Sequence, residues 1–465
     1  MIDDGLPMPR RYLAILAISF GTALVVIDGA IATVALPTIA RDLKVDGSAA
    51  VLVVTIYQLV LVMTLLPFSA LGDRIGLRRM YQYGQIVFVI ATVLCFFARS
   101  LPFLLVVRAV QALGAAAALS VSSALLRSVY PSRYLGRGLG INSVVVSTSV
   151  ALAPTLGGLV LSVGPWPYVF ASAVPFAIIS LLLGRSLPPS LPRAESYDIV
   201  GAVLCAASFG LIISGLEALV HGDSPVVASA IVAAGIGTAI VFVRHELAEK
   251  RPILPVDLLA RPVLALSTVG ALTAFIASMT LLIAMPFRLE RAFGFSPGEV
   301  GIVLAPWPLT TMIVAPLAGA LSDRYPAGAL GGIGMAIATV ALALLAYLHP
   351  GASYWDVGWR MALCGAGFGM FLSPNARLIV GSAPLERAAS AGGLISTTRM
   401  IGQTLGATLA AALLALGLGS GSVPPLIAAG LAVVAGLCSL ARLNPGLRNP
   451  AQTEVDALQP ASQTK

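Results

Sequence analysis

The sequence predicts an all-α protein that crosses a lipid bilayer many times. Composition is the first reason: of 465 residues, 58% are hydrophobic and only 10% charged, with a mean hydropathy of +0.95, against about 25% charged residues in soluble domains. The second is the recurrence, along the whole chain, of apolar runs about as long as a bilayer-spanning helix. The third is that the basic residues lie in short segments between those runs. A net charge of +8 would suit a nucleic-acid partner if it formed a patch, but spread over short loops it sets membrane orientation instead.

The run 13–36 is interrupted by one acid, Asp28. At ~1.5 Å per residue it is long enough to cross a hydrocarbon core ~30 Å thick. A carboxylate at that depth costs roughly 2.5 to 3.5 kcal/mol, while each surrounding Leu, Ile or Val returns only roughly 0.3 to 0.6. The residues sharing its face, Gly21, Leu24, Val25, Ile31, Ala32 and Ala35, offer no partner. Asp28 therefore reads as a proton or cation site, or as a structural acid paired with an arginine from another helix. Arg10 and Arg11 precede the run as in a signal peptide, but its length and its acid mark a retained first helix.

Further spans are expected near 51–71, 80–98, 103–126, 138–163, 168–187, 199–219, 226–243, 263–287, 300–321, 330–348, 357–380, 388–417 and 426–440, fourteen in all. With the amino terminus in the cytoplasm, 20 Lys and Arg fall in cytoplasmic segments or at the cytoplasmic ends of spans, 6 in external loops or at external span ends, and 2, Arg108 and Arg399, deeper within spans. Both termini are then cytoplasmic. The tail 443–465 is polar, rich in Pro and Gln, and expected to be disordered.

An internal repeat orders these spans. Leu71-Gly72-Asp73-Arg74 recurs as Leu321-Ser322-Asp323-Arg324, Arg108 has a counterpart in Arg360, and Ala153-Pro154-Thr155-Leu156-Gly157 matches Gly402-Gln403-Thr404-Leu405-Gly406, all at offsets of 249 to 252. The expected organisation is a six-helix bundle over 12–187, two inserted helices with linkers over 188–262, and a second six-helix bundle over 263–442. A substrate path is expected between the repeats near the midplane.

Several classes of chemistry find no residues. Cys95, Cys205, Cys364 and Cys438 lie in apolar runs without paired spacing, and His221, His245 and His349 sit in or beside loops. Neither a disulfide framework nor a metal site is indicated, and no cofactor is expected. No G-x-x-x-x-G-K-[ST] phosphate loop occurs. An enzyme is not indicated.

Three elements carry a resemblance. Leu71-Gly72-Asp73-Arg74-Ile75-Gly76-Leu77-Arg78-Arg79 resembles the loop between helices two and three of the major facilitator superfamily, with Ser69 where a Gly is usual. The resemblance makes Asp73, Arg74, Gly76, Arg78 and Arg79 a conformational gate. The other reading is that these arginines only anchor topology. Arg108-Ala109-Val110-Gln111-Ala112-Leu113-Gly114 resembles the superfamily's R-x-x-Q-G-x-G element, with Ala112 for the first Gly. Arg108 and Gln111 share one helix face, and Arg108 either modulates Asp28 or snorkels to the interface. Ala153-Pro154-Thr155-Leu156-Gly157-Gly158 resembles the G-P-x-x-G-G element of antiporters, with Pro154 bending the helix and Gly157 and Gly158 allowing close approach.

Together with the span count, Val34-Ala35-Leu36-Pro37, Tyr197-Asp198, Pro252-Ile253-Leu254 and Ala305-Pro306-Trp307-Pro308 resemble the fourteen-helix drug:proton antiporters of the QacA/SmvA branch. Trp166-Pro167-Tyr168-Val169-Phe170 departs from the W-R-W-x-F common there. The resemblance implies a monomeric, multi-pass protein of the bacterial cytoplasmic membrane that exchanges protons for small amphiphilic substrates, with lipophilic cations favoured. The alternative is export of a metabolite or amphiphilic anion, using Arg108 or Arg399. Arg399 lies near mid-depth with Gly402, Gln403 and Gly406 on its face. It reads either as a cavity cation or as an arginine held by carbonyls or a distant acid. Glu217 and Glu290 sit near helix ends, where solvated or interfacial positions are expected.

Overall fold

The computed structural model describes residues 6–130, 135–189, 198–220, 224–249, 256–322, 324–349, 351–382 and 388–444. They form sixteen α-helices: α1 (Arg10–Asp42), α2 (Gly47–Ile75), α3 (Leu77–Phe96), α4 (Leu101–Val129), α5 (Leu135–Val163), α6 (Pro167–Ala171), α7 (Val174–Leu183), α8 (Ile199–Val220), α9 (Pro225–Ala248), α10 (Pro262–Phe293), α11 (Pro297–Leu304), α12 (Pro306–Leu321), α13 (Ala327–Ala346), α14 (Tyr354–Ser382), α15 (Ala388–Ala415) and α16 (Val423–Ala441). Residues 445–465 of the expected tail and 250–255 of the expected linker lie outside the described residues.

Eleven candidate spans are long and apolar enough to cross a bilayer, the α6–α7 and α11–α12 pairs counting once each. The difference from the expected fourteen falls on α5, α14 and α15. Only Leu152–Val163 of α5 contributes as an apolar segment among the described residues. Helices α14 and α15 are 29 and 28 residues long, but they mix Gly, Ser, Thr and Arg into their apolar runs. Two expected continuous spans are broken helices. Pro175 at the start of α7 and Pro306 at the start of α12 lack the N–H that would continue the preceding helix.

The packing follows the repeat. Helix α3 lies on α4 as α13 lies on α14, α2 on α4 as α12 on α14, and α1 on α5 as α10 on α15. The two halves meet along α1 with α10 and along two equivalent seams, α2 with α15 and α5 with α11–α12. Helix α8 packs across the first seam, on both α2 and α15, and carries α9 on its outer side.

The two ends of the bundle differ. Where α1 and α10 finish, Ile31, Val51 and Trp166 of the first half share an apolar cluster with Ile283, Phe287 and Ala407 of the second. An ion pair between Arg41 and Glu290, 3.0 Å, also crosses there. At the opposite end the described clusters stay within one half, Ala14 with Met80 and Leu125 on one side and Leu264 with Ile379 on the other. Burial of shared apolar surface thus closes one end, and no such cluster among the described residues closes the other.

Candidate functional site

Asp28 lies in the middle of α1 and is fully buried. A buried carboxylate needs compensation from charge and hydrogen bonds, and two residues of α4 supply it. Arg108 Nη1 donates to Asp28 Oδ2 at 2.6 Å and to Gln111 Oε1 at 2.6 Å. Gln111 Nε2 donates to Asp28 Oδ1 at 3.0 Å and to Thr92 Oγ1 of α3 at 2.8 Å. Both carboxylate oxygens are bonded. The one-turn spacing of Arg108 and Gln111 lets one helix present both donors to one acid.

Arg108 is itself fully buried, so the snorkelling alternative does not hold. Its Nε donates to the Val53 carbonyl at 3.3 Å. Its guanidinium carbon sits 4.2 Å from the Tyr57 ring centroid and 5.2 Å from that of Phe170, within the range of cation–π attraction. Nη2 has no hydrogen-bond partner. The cation is held by one acid, the Gln111 amide oxygen, one backbone carbonyl and two aromatic faces, with one donor group left over. Sequence reasoning did not single out Thr92 or Tyr57, and it named Phe170 only as the end of the Trp166-Pro167-Tyr168-Val169-Phe170 element, without placing it at Arg108. A Thr and a Tyr inside otherwise apolar runs were the signals available for the other two.

In the loop between α2 and α3, Gly76 has φ of 102°, a conformation that L side chains rarely adopt. This turn lets α3 start one residue after α2 ends. Arg74 and Arg79 are exposed and Arg78 is half-buried, while the Asp73 and Asp323 side chains lie outside the described residues.

Pro154 lies inside α5. One turn on, Gly157 abuts Ile31 of α1, and Gly158 lies against Gly301 of α11, where an added Cβ would come within 3.0 Å of the Gly301 Cα. The resemblance-derived helix therefore forms the closest backbone contact described across the α5–α11 seam.

Arg399 is half-buried on α15. Its Nε has no partner, and no acid or carbonyl among the described residues bonds it. The structure does not bring it into contact with Asp28. Of the solvated and interfacial positions expected for Glu217, the solvated one does not hold: it is buried because α8 packs on α15, and it accepts a hydrogen bond from Thr408 Oγ1 at 2.7 Å. Glu290 is interfacial, paired with Arg41 across the two halves. Asp198, His245 and Glu249 place ligand atoms within 4.8 Å of one another where α8 begins and α9 ends. His245 Nε2 lies 3.0 Å from Asp198 Oδ2, an ion pair that accounts for their proximity.

With this geometry in hand, the comparisons decide the family. The Major Facilitator Superfamily profile matches residues 18–407 and 267–462. The chain belongs to the Major Facilitator Superfamily. It is 43% identical over 438 residues to the uncharacterized transporter YebQ of Escherichia coli, covering 94% of this chain and 96% of the relative. It is 28% identical to the riboflavin transporter RibZ of Clostridioides difficile, covering 86% of this chain and 87% of that one. Identity is also 28% to the methyl viologen resistance protein SmvA of Salmonella typhimurium, covering 86% and 81% respectively. The crystal structure of a bacterial homolog of the human lysosomal transporter Spinster superposes with a TM-score of 0.68 at 19% identity, over 96% of this chain and all of that one, which shows the shared fold. The protein is a multi-pass membrane transporter of small molecules and not an enzyme.

Proposed function

We propose that this transporter exports lipophilic cations in exchange for protons by alternating access, as a fourteen-span member of the QacA/SmvA branch in the bacterial cytoplasmic membrane. In this reading 12–187 and 263–442 are the moving six-helix units, 188–262 is an insertion, both termini are cytoplasmic, and the described conformation opens to the cytoplasm. The Asp73, Arg74, Gly76, Arg78 and Arg79 turn acts as the conformational gate. Pro154, Gly157 and Gly158 shape the seam across which the units rock.

One observation carries the reading: the mid-membrane acid, Asp28, is neutralised by a buried arginine, Arg108. A proton on Asp28 cancels its charge and leaves Arg108 uncompensated. The local charge rises by one unit, and a bound cation is repelled. A cation and a proton therefore disfavour each other at this site, which is the sign of coupling that exchange requires. During cation binding Arg108 gives up part of its bond to Asp28 and leans on the Tyr57 and Phe170 rings and the Val53 carbonyl.

The second reading, export of a metabolite or amphiphilic anion, has the unpartnered Arg399 in its favour. It couples with the opposite sign at Asp28, since a proton there strengthens binding of an anion. Proteoliposomes with an imposed pH gradient separate the two. On the favoured reading the gradient expels a monovalent cationic dye, and Asp28→Asn abolishes the effect. Gradient-driven transport that survives Asp28→Asn would remove this acid from coupling.

A further inference from the structure

Among the described residues, four arginines of the second half lie wholly or partly inside the protein, and three of them are bonded to it. Arg288 donates to the Leu345 and Ala346 carbonyls at the end of α13. Arg442 donates to Ser267 and Asn375, and Arg360 pairs with Asp356. Arg399 makes no hydrogen bond or ion pair among the described residues, and its Nε is shielded from solvent. A charged donor left unbonded in a partly dry site is costly, so it calls for an acceptor that arrives from elsewhere.

The direction of the side chain follows from its neighbours on α15. Gly402 and Gly406 abut Leu272, Ile276 and Met279 of α10. Met400 belongs to the apolar cluster of Leu24, Val25 and Tyr57 on α1 and α2. Thr408 faces α8 through Glu217. At about 100° per residue, Arg399 and Gln403 fall between the α10 face and the α1–α2 face. That is the side of α15 turned to the space between the halves. Met400, the residue after Arg399, shares that cluster with Tyr57, whose ring lies 4.2 Å from the Arg108 guanidinium carbon, which places Arg399 near the level of the Asp28 site. The space between the halves thus has, on the α15 side, a guanidinium with no partner among the described residues, and behind its other wall the compensated acid, buried against α4.

We infer that Arg399 is the anion-recognising arm of the cleft, and that the preferred substrates are zwitterionic amphiphiles bearing an acidic group as well as a cationic one. The inference rests on the proton-exchange reading: the cationic end competes with the proton at Asp28, and the acidic end is held by Arg399. Guanidinium and carboxylate are matched donors and acceptors, able to form two parallel hydrogen bonds. A dication is the poorest fit, because it meets one acid that is already shared.

A rhodamine with a free carboxylate and its ethyl ester differ only in that acidic group. Binding of each to the purified protein is measured by fluorescence anisotropy, and pH-driven transport of each is measured in proteoliposomes. The parent is expected to bind the zwitterion roughly tenfold more tightly than the ester, the order of one charge-assisted hydrogen bond. Arg399→Gln is expected to erase that ratio while leaving ester binding within about twofold, and Arg399→Lys, which keeps the charge, to restore part of it. Equal binding of the two dyes by the parent, or a ratio unchanged in Arg399→Gln, overturns the inference. Discrimination in binding without pH-driven movement of either dye upholds Arg399 as the arm and instead refutes the proton-exchange reading.

Discussion

Arg108 and Arg360 occupy equivalent places in the repeat, one on α4 and the other on α14, and their surroundings diverge. Arg108 is fully buried against Asp28. At offsets of 249 to 252 from Asp28, α10 carries Ala277, Ser278, Met279 and Thr280, none of them an acid, and the Ser278 hydroxyl bonds its own helix at the Phe275 carbonyl. With no acid to meet, Arg360 stays near its helix end, 3.6 Å from Asp356 and 4.7 Å from the Trp359 ring centroid. The architecture is repeated and the charge is not. A proton can change the charge balance of the first half at Asp28, whereas the equivalent place in the second half does not titrate.

The largest expected effect breaks this comparison directly. Arg108→Gln strands the Asp28 carboxylate and is expected to cost roughly 3 to 5 kcal/mol of stability, whereas Arg360→Gln, at a partly exposed pair, costs roughly 0 to 1 kcal/mol. Thermal unfolding in detergent measures both, and similar losses would remove the asymmetry. The double change Asp28→Asn with Arg108→Gln is expected to regain most of the stability, because no charge is then left buried alone. Asp28→Asn by itself leaves Arg108 without a counter-charge, so a folding control must accompany its transport assays.

The next effect is steric and lies at the seam. An added Cβ at Gly301 would lie 2.6 Å from the Pro154 carbonyl oxygen and 2.9 Å from Gly158 Cα, both backbone atoms that cannot step aside, while Gly237 has nothing within 4 Å. Gly301→Ala is expected to slow dye export several-fold, with Gly237→Ala, on the outer helix α9, unchanged apart from a helix-propensity gain of about 1 kcal/mol or less. Equal transport rates would mean that the α5–α11 contact does not govern the exchange of states.

Smallest is the closing ion pair. Glu290→Gln removes the Arg41–Glu290 contact at the closed end, with Arg41 largely exposed. A surface pair is worth about 0 to 1 kcal/mol, so the conformational equilibrium is expected to move by no more than about fivefold. Cysteine accessibility on the two sides of the cleft measures the shift, and a much larger one would make this pair a principal lock.

Much of this was legible in the sequence because it depends on local pattern. An acid in an apolar run announces itself by its cost, and Arg108 and Gln111 share a face by spacing alone. The pairing of Arg108 with Asp28 was one of two open readings, since it depends on how α1 and α4 lie in space. Thr92, Tyr57 and Phe170 complete the site through contacts from three further helices, which no single-helix pattern encodes. The same holds for Glu217: near the end of α8 it looks solvated, and only the packing of the insertion on α15 buries it. The breaks before α7 and α12 were hidden because Pro175 and Pro306 sit within runs that are apolar on both sides. Arg399 was visible as a cation at depth, but its lack of a bonding partner among the described residues emerges only once the neighbouring helices are placed.

In the proposed exchange cycle Asp28 couples substrate movement to proton movement instead of merely holding the fold. Proteoliposomes carrying an outward gradient of a monovalent cationic dye, with no initial pH difference, test it when internal pH and dye are followed together. The parent is expected to drive protons opposite to the dye. Asp28→Asn, which fixes the site in its cation-repelling charge state, is expected to lose dye movement and proton flux together, both falling to those of empty liposomes, while its thermal unfolding in detergent shows a folded protein. Proton counter-movement by Asp28→Asn at the parent's rate would contradict the account.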